Sequence, residues 1–200
     1  MGMKRGLFAL GLAALVLAAC ENREAKQQEF PVVEAPNYDA NIGPNGAAGI
    51  TQALPMTLDA VRAAAPNYVV AQVQQQVEGE PFTAITLSAG DEVVFQINPT
   101  ADGAHIHSIT TDSTQARGPL GEIVGRSVFD APEEETEFCA SEQVQGAAGF
   151  ACSTAADGRF WRVYRLPADY DGPSDPFDAI DPDVLHAATL AEMRWVAPRV

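Results

Sequence analysis

YVVAQVQQQV, residues 68–77, opens the stretch that decides the fold. Val69, Ala71, Val73 and Val77 recur on one side of an extended chain. Glu78-Gly79-Glu80-Pro81 follows with turn chemistry, and FTAITL at 82–87 alternates again through Ile85 and Leu87. Ala89-Gly90-Asp91 is a tight turn before VVFQI at 93–97, and Asn98 to Gly103 is a further turn before HIHSITT at 105–111. Period-2 runs of β-branched residues separated by Gly, Pro, Asn and Asp predict a four-stranded antiparallel meander.

Upstream, Pro55-Met56-Thr57 opens a domain. Thr57 suits an N-cap, Asp59 lies in the first turn, and Leu58, Val61 and Ala65 share a helical face until Pro66 stops it. Downstream, a shorter cycle begins at the turn Gly118-Pro119-Leu120-Gly121. Val124 to Asp130 has helical potential through Val124, Val128 and Phe129, ending at Pro132. A loop with Glu133, Glu134, Glu135 and Glu137 leads to Cys139. Gly149–Ser153 and Arg159–Leu166 read as paired strands, Ala168–Leu185 as a long acidic loop, and Ala191–Val196 as the strand that closes the sheet. The expected architecture is α+β: short helices packed on an antiparallel sheet, with helix-then-strands appearing twice as two degenerate repeats.

The amino-terminal end places this domain in a compartment. Lys4 and Arg5 precede an apolar run from Leu7 to Leu17, and Ala18-Ala19 stands directly before Cys20. A basic segment, a short apolar segment and small residues at a cleavage point make a secretory signal. The run falls short of the ~20 residues a spanning helix needs. Leu17-Ala18-Ala19-Cys20 resembles the lipobox of bacterial lipoproteins. That resemblance implies diacylglyceryl transfer to the Cys20 thiol, cleavage before it, and acylation of the new amino terminus. Two or more acyl chains anchor stably where one is marginal. An ordinary signal peptide with an incidental cysteine is the alternative. Glu21 stands where Asp would mark inner-membrane retention, so the expected location is the outer membrane, facing the periplasm. The expected organisation is a signal peptide at 1–19, a flexible tether at 20–54 carrying acylated Cys20, and a single α+β domain at 55–200. The tether is read from Pro31, Pro36, Gly43, Pro44, Gly46 and Gly49 among Asn and Gln without periodicity.

The chain has 200 residues and a net charge of −15. Loss of residues 1–19 would remove two bases and no acid, leaving −17. Such a chain lacks the Lys/Arg density that binds phosphate, which excludes nucleic acid as a partner. It also gains nothing from an anionic lipid surface, so the acyl anchor alone would hold it at the membrane. Three cysteines are an odd number; with Cys20 acylated, Cys139 and Cys152 remain to pair in an oxidising space. Two free thiols or an incomplete metal pair are the alternatives.

The second half also carries a family resemblance. Gly118-Pro119-Leu120-Gly121-Glu122-Ile123-Val124-Gly125, the cysteine pair, Phe160-Trp161-Arg162-Val163-Tyr164, Gly172-Pro173 and Met193-Arg194-Trp195 follow in that order. Together with the lipobox, this order, spanning Thr57 to Val196, is similar to a bacterial envelope lipoprotein family of uncharacterised function. Its enterobacterial member is under sigma-E envelope-stress control. The resemblance implies a lipid-anchored envelope protein with no settled activity and no catalytic residues to carry over. This chain departs from the family by interrupting its second helix at Pro132 and enlarging the acidic loop after Ala168.

Four constellations carry candidate chemistry. His105 and His107 share a face of a regular strand, with Asp102 and Asp112 flanking them, a set suited to zinc or copper. A bulge between Ile106 and Ile109 would separate them. Asp169, Asp171, Gly172 and Asp178, with Asp175, Asp181 and Asp183 nearby, suggest a calcium loop. Pro167 stands where the first ligand is needed, and a solvated acidic loop is the simpler account. Arg159, Trp161, Arg162, Tyr164 and Arg165 form the one basic-aromatic stripe, suited to an anion, a glycan or an acidic partner. Internal pairing of each Arg with the abundant carboxylates, while the aromatics fill the core, competes with that. Finally, no nucleophile elbow or phosphate loop is present, so the chain is read as a non-enzyme without cofactor. The expected function is a non-catalytic, lipid-anchored periplasmic module that binds an envelope protein or a cell-wall component. A metal-binding protein using His105 and His107, and a hydrolase with a dispersed site, are the alternatives.

Overall fold

The computed structural model describes residues 37–77, 79–127, 138–154, 158–172 and 180–199. All of them belong to the unit Ala35–Val200. The expected signal peptide and Cys20 lie outside the described residues, as do Val128 to Glu137 and Asp175 and Asp178.

The unit begins with two short strands, β1 (Ile42–Gly43) and β2 (Gly46–Ala47), paired antiparallel. This corrects the expected tether to Leu54. Ile42, Ala47, Ala48 and Ile50 are all buried and join the main core cluster. The Pro, Gly and Asn composition reflects a tight two-strand turn, not solvated chain. Helix α1 (Leu58–Ala64) follows as expected. Thr57 caps it, its Oγ1 accepting from the Ala60 N–H at 3.3 Å, and Val61 is fully buried. The N-cap hydroxyl satisfies one of the four free N–H groups at the helix start.

The meander forms as read: β3 (Val69–Val77), β4 (Glu80–Ala89), β5 (Glu92–Pro99) and β6 (Ile106–Thr111). Gly90, at φ +60°, makes the turn between β4 and β5, a backbone conformation that costs glycine little. The second half adds β7 (Phe138–Val144), β8 (Ala147–Ser153), β9 (Phe160–Arg165), helix α2 (Pro182–Ala187) and β10 (Thr189–Val196). Three expectations change here. Strand β7 occupies chain around and after Cys139 for which no element was expected. Helix α2 interrupts the expected acidic loop, capped by the Asp181 carboxylate on the Asp183 N–H at 2.8 Å. The expected helix from Val124 does not start, because residues 124–127 are turn and bend ending in a bridge from Ser127 to Thr189, with the Gly125 N–H bonded to the Leu190 carbonyl at 2.7 Å.

All eight long strands form one antiparallel sheet in the order β3-β4-β5-β6-β10-β9-β8-β7. The broad reading of an antiparallel sheet with a few short helices therefore stands. Register fixes the two faces. Ile85, Ile97, Ile109, Trp195 and Phe160 are successive cross-strand partners, and all five are buried. Phe95, Phe150, Leu87 and Met193 extend this side into the main core. Because side chains alternate along a strand, the next row presents the opposite face. That row runs Gln96, Thr110, Arg194, Trp161, and each of these residues is partly exposed. Cys139 and Cys152 face each other across β7 and β8, Cα atoms 4.2 Å apart, and are joined in a disulfide. Among the described residues no helix is long and apolar enough to cross a membrane.

Candidate functional site

Three segments build a cleft of about 610 Å³: the loop into β6, the segment before α1, and the chain end after β10. The β5–β6 loop is closed by its own hydrogen bonds. The Thr100 N–H donates to the His105 carbonyl at 2.8 Å, and the His105 N–H donates to Thr100 Oγ1 at 3.1 Å. The Ile106 N–H donates to the Leu54 carbonyl at 2.9 Å, which brings residue 53 alongside. The Ala197 N–H donates to the His107 carbonyl at 2.8 Å, which brings up Pro198 and Arg199. His105, His107 and Asp102 line this cleft together with Arg199.

The histidine spacing therefore brings both residues to one cleft even though the register shifts opposite His107, between Asn98 and Pro99. The carboxylates divide. Asp102 Oδ1 accepts from the Thr100 hydroxyl at 2.6 Å and the Ala104 N–H at 3.1 Å. Those bonds, the hydroxyl first, hold its pKa below the usual carboxylate range. Asp112 lies past the far end of β6, where its charge bears on Glu192 instead. Among the described residues, no group of three His, Cys, Asp or Glu side chains is placed to hold a metal ion. Arg199 belongs to the cleft and was not anticipated; it is remote in sequence and arrives only through the pairing of β10 with β6.

The basic-aromatic stripe on β9 does not form one surface. Arg162 is buried, its Nε 2.6 Å and its Nη2 2.5 Å from Glu122 Oε1, and its guanidinium lies 4.8 Å from the centre of the Phe160 ring. Tyr164 is buried and stacked on Phe150. Arg165 is exposed and bonds Gln145, and Arg159 is also exposed. Trp161 alone of the aromatics reaches the open face. Its Nε1–H donates to the Gly158 carbonyl at 2.8 Å, and its ring meets Phe138 edge-on at 5.9 Å. Internal pairing accounts for Arg162 and Tyr164, so both are corrected from candidate ligand contacts to core residues. Glu122 is presented by the turn from Gly118; its Oε2 also accepts the Leu120 N–H at 2.7 Å. Gly118 lies so close under that carboxylate that any side chain there would collide with it.

The open face carries a polar ladder that sequence reading missed. Gln75 Nε2 donates to Gln96 Oε1 at 3.2 Å, Gln96 Nε2 to Asn98 Oδ1 at 2.8 Å, and Asn98 Nδ2 to Ser108 Oγ at 3.3 Å. Next along the face, Arg194 Nη2 pairs with Glu142 at 2.7 Å and Glu192 at 2.8 Å. Burial pushes the Glu192 carboxyl above its ordinary range, against the pull of Arg194. For Arg194, burial opposes the charge, but Glu142 and Glu192 outweigh it and its pKa is raised. The polar alternation within β5 and β6 was the available signal for this face; the strand order that aligns it was not.

The acidic segment gives no assembled calcium loop among the described residues. Asp169, Asp171, Asp181 and Asp183 border a shallow hollow beside Tyr170. Asp181 serves there as the cap of α2.

No family model and no curated protein matches this chain. Among solved structures, it is similar to the uncharacterized protein yfeY from Escherichia coli, at 18% sequence identity and a TM-score of 0.55. The match covers 78% of this chain and 99% of that one, and shows a shared fold.

Proposed function

We propose that this protein is a lipid-anchored, non-catalytic binding module of the bacterial envelope, tied by Cys20 to the outer membrane and facing the periplasm. The observation that carries it is Leu17-Ala18-Ala19-Cys20 behind a basic and an apolar segment. The Cys139–Cys152 disulfide suits an oxidising compartment. The fold shared with an uncharacterized Escherichia coli protein is in keeping with membership of the envelope lipoprotein family. We place the partner, an envelope protein or a cell-wall component, on the open face around Gln96, Asn98, Arg194 and Trp161. Amides, one guanidinium and an aromatic ring there offer both hydrogen bonds and stacking. The two four-stranded meanders, joined through their last strands β6 and β10, support degenerate repeats. The buried Val61 of α1 supports a short helix against the sheet. The test is fractionation of cells expressing the full chain: wild type should sediment with membranes, and C20A should not. Equal sedimentation of both would sink the anchor.

A second reading has one specific observation behind it. His105 and His107 border the same cleft, so a zinc or copper ion there would draw on two imidazoles with water completing its shell, no third protein ligand being placed beside them among the described residues. Titrating the metal-free full chain with each ion tests it. Binding tighter than about micromolar that is lost in the variant H105A/H107A supports the reading, since that variant removes both imidazoles. Binding no tighter than that, or unchanged in the variant, ends it.

A further inference from the structure

We propose that β3 pairs with β3 of a second copy, antiparallel about Val73, joining two eight-stranded sheets into one. Strand β3 ends the sheet, and among the described residues it pairs only with β4. The hydrogen bonds on either side of it show which way its backbone groups point. The Thr86 hydroxyl, on β4, donates to the Ala71 carbonyl, so odd-numbered residues of β3 point their N–H and C=O groups inward. Arg62 reaches the Val70 carbonyl at 3.5 Å from the other side, so even-numbered residues point theirs outward. Gln72, Gln74 and Gln76 therefore present an open row of donors and acceptors, and the Val70 carbonyl beside them carries the exposed Arg62 side chain.

Edge strands are normally guarded by charges, Pro or bulges. The nine residues of β3 contain no charge and no Pro, in a chain whose net charge is −15. Val69 and Val77 at its two ends are 65% and 59% exposed. In this acidic protein an uncharged edge is where a second copy meets least repulsion.

The residues also specify a register. Centred on Val73, antiparallel pairing opposes Val70 to Gln76 and Gln72 to Gln74, which are outward-pointing residues on both strands. The Gln72–Gln74 pairs each exchange two backbone hydrogen bonds, and the Val70–Gln76 pairs do so as the exposed Arg62 side chain swings off the Val70 carbonyl. The same register opposes Val69 to Val77, Ala71 to Gln75 and Val73 to itself. Both exposed valines are covered, and glutamine amides meet across the other side. A register shifted by two residues keeps the hydrogen-bond parity but leaves Val77 uncovered in one direction and Val69 in the other. The occupant is accordingly a second copy of this chain, and the pairing is independent of what the open face binds. The two acidic bodies repel each other, so association strengthens as salt screens them.

The experiment is disulfide trapping of the full chain in its native membranes under mild oxidation, read on non-reducing gels. At the two-fold position the Cα atoms of a non-hydrogen-bonded pair lie ~4.5 Å apart, within disulfide reach. V73C should give a band of twice the mass, on the order of ten-fold stronger than Q75C, whose two copies sit four residues apart, ~13 Å. Adding Q74P to V73C should abolish the band while leaving the thermal unfolding midpoint unchanged. The Gln74 N–H points away from β4, so Pro there removes an intermolecular bond and no backbone bond of the β3–β4 ladder, losing within the chain only the exposed Gln74–Thr83 side-chain bond. The cysteine pattern of the unmodified chain is the baseline. Absence of the V73C band, equal bands at both positions, persistence with Q74P, or crosslinking only to a different protein would each overturn the proposal.

Discussion

E122A is expected to lose about 3–5 kcal/mol of folding stability, because it removes the buried carboxylate that pairs with the Arg162 guanidinium. Glu122 and Arg162 side chains are 2% and 3% exposed, and the carboxylate also accepts the Leu120 N–H that shapes the turn. The pair sits beneath Phe160 and links the Gly118–Glu122 turn to β9, forty positions along the chain. For a unit of this length the loss corresponds to a fall in Tm of about 10 °C. The double variant E122L/R162M removes both charges and keeps their volume, and should recover most of the deficit, since burying two ions carries a large desolvation cost. Urea denaturation at neutral pH checks both variants. A loss under about 1 kcal/mol for E122A would mean that the pair is solvated in solution, as exposed pairs are.

The second large effect concerns the disulfide. C139A/C152A should cost about 3 kcal/mol, the chain-entropy value for closing a loop of this length. Strand β7 is the free edge of the second half and is paired only with β8 among the described residues. Its residues are mostly exposed, so beside the bridge and one ladder only the Glu142–Arg194 pair and the Phe138 and Val144 side-chain contacts hold it among the described residues. Hydrogen exchange should accordingly show β7 and β8 losing protection while β4, β5 and β6 keep theirs. Uniform loss across the sheet would show that the bridge acts on the whole unit and not on that edge.

These effects separate what was legible in the sequence from what was not. The first meander was legible because each of its strands carries a strong β-branched pattern and each turn carries Gly, Asn or Asp. Its register followed from those turns. Strand β7 was not, because Phe138-Cys139-Ala140-Ser141-Glu142-Gln143-Val144 buries almost nothing of its own and becomes a strand through its neighbour. Ile42 and Ile50 were hidden for the opposite reason: they are deeply buried but sit in a turn without periodicity. Helix α2 has no buried residue, so it left no hydrophobic period to read among its acids.

At the sites, local spacing was a better guide than composition. His105 and His107 do reach one cleft, as a two-residue spacing on extended chain allows. Asp112 does not join them, because five residues of strand carry it ~16 Å from His107. The arginines of β9 looked like one stripe in a chain with few bases. Alternation sent Arg162 inward to Glu122, a partner that only the tertiary fold supplies. The ladder from Gln75 to Ser108 likewise needs strand order, since its members come from three strands.

The central claim is that the folded sheet is held at the membrane through a lipid on Cys20, and the mass of the mature amino-terminal peptide tests it most directly. The protein purified from membranes should yield a first residue of Cys20 carrying a diacylglyceryl group on sulfur and an acyl chain on nitrogen. A peptide that begins at Met1, or one that begins at Cys20 with an unmodified thiol, would contradict it.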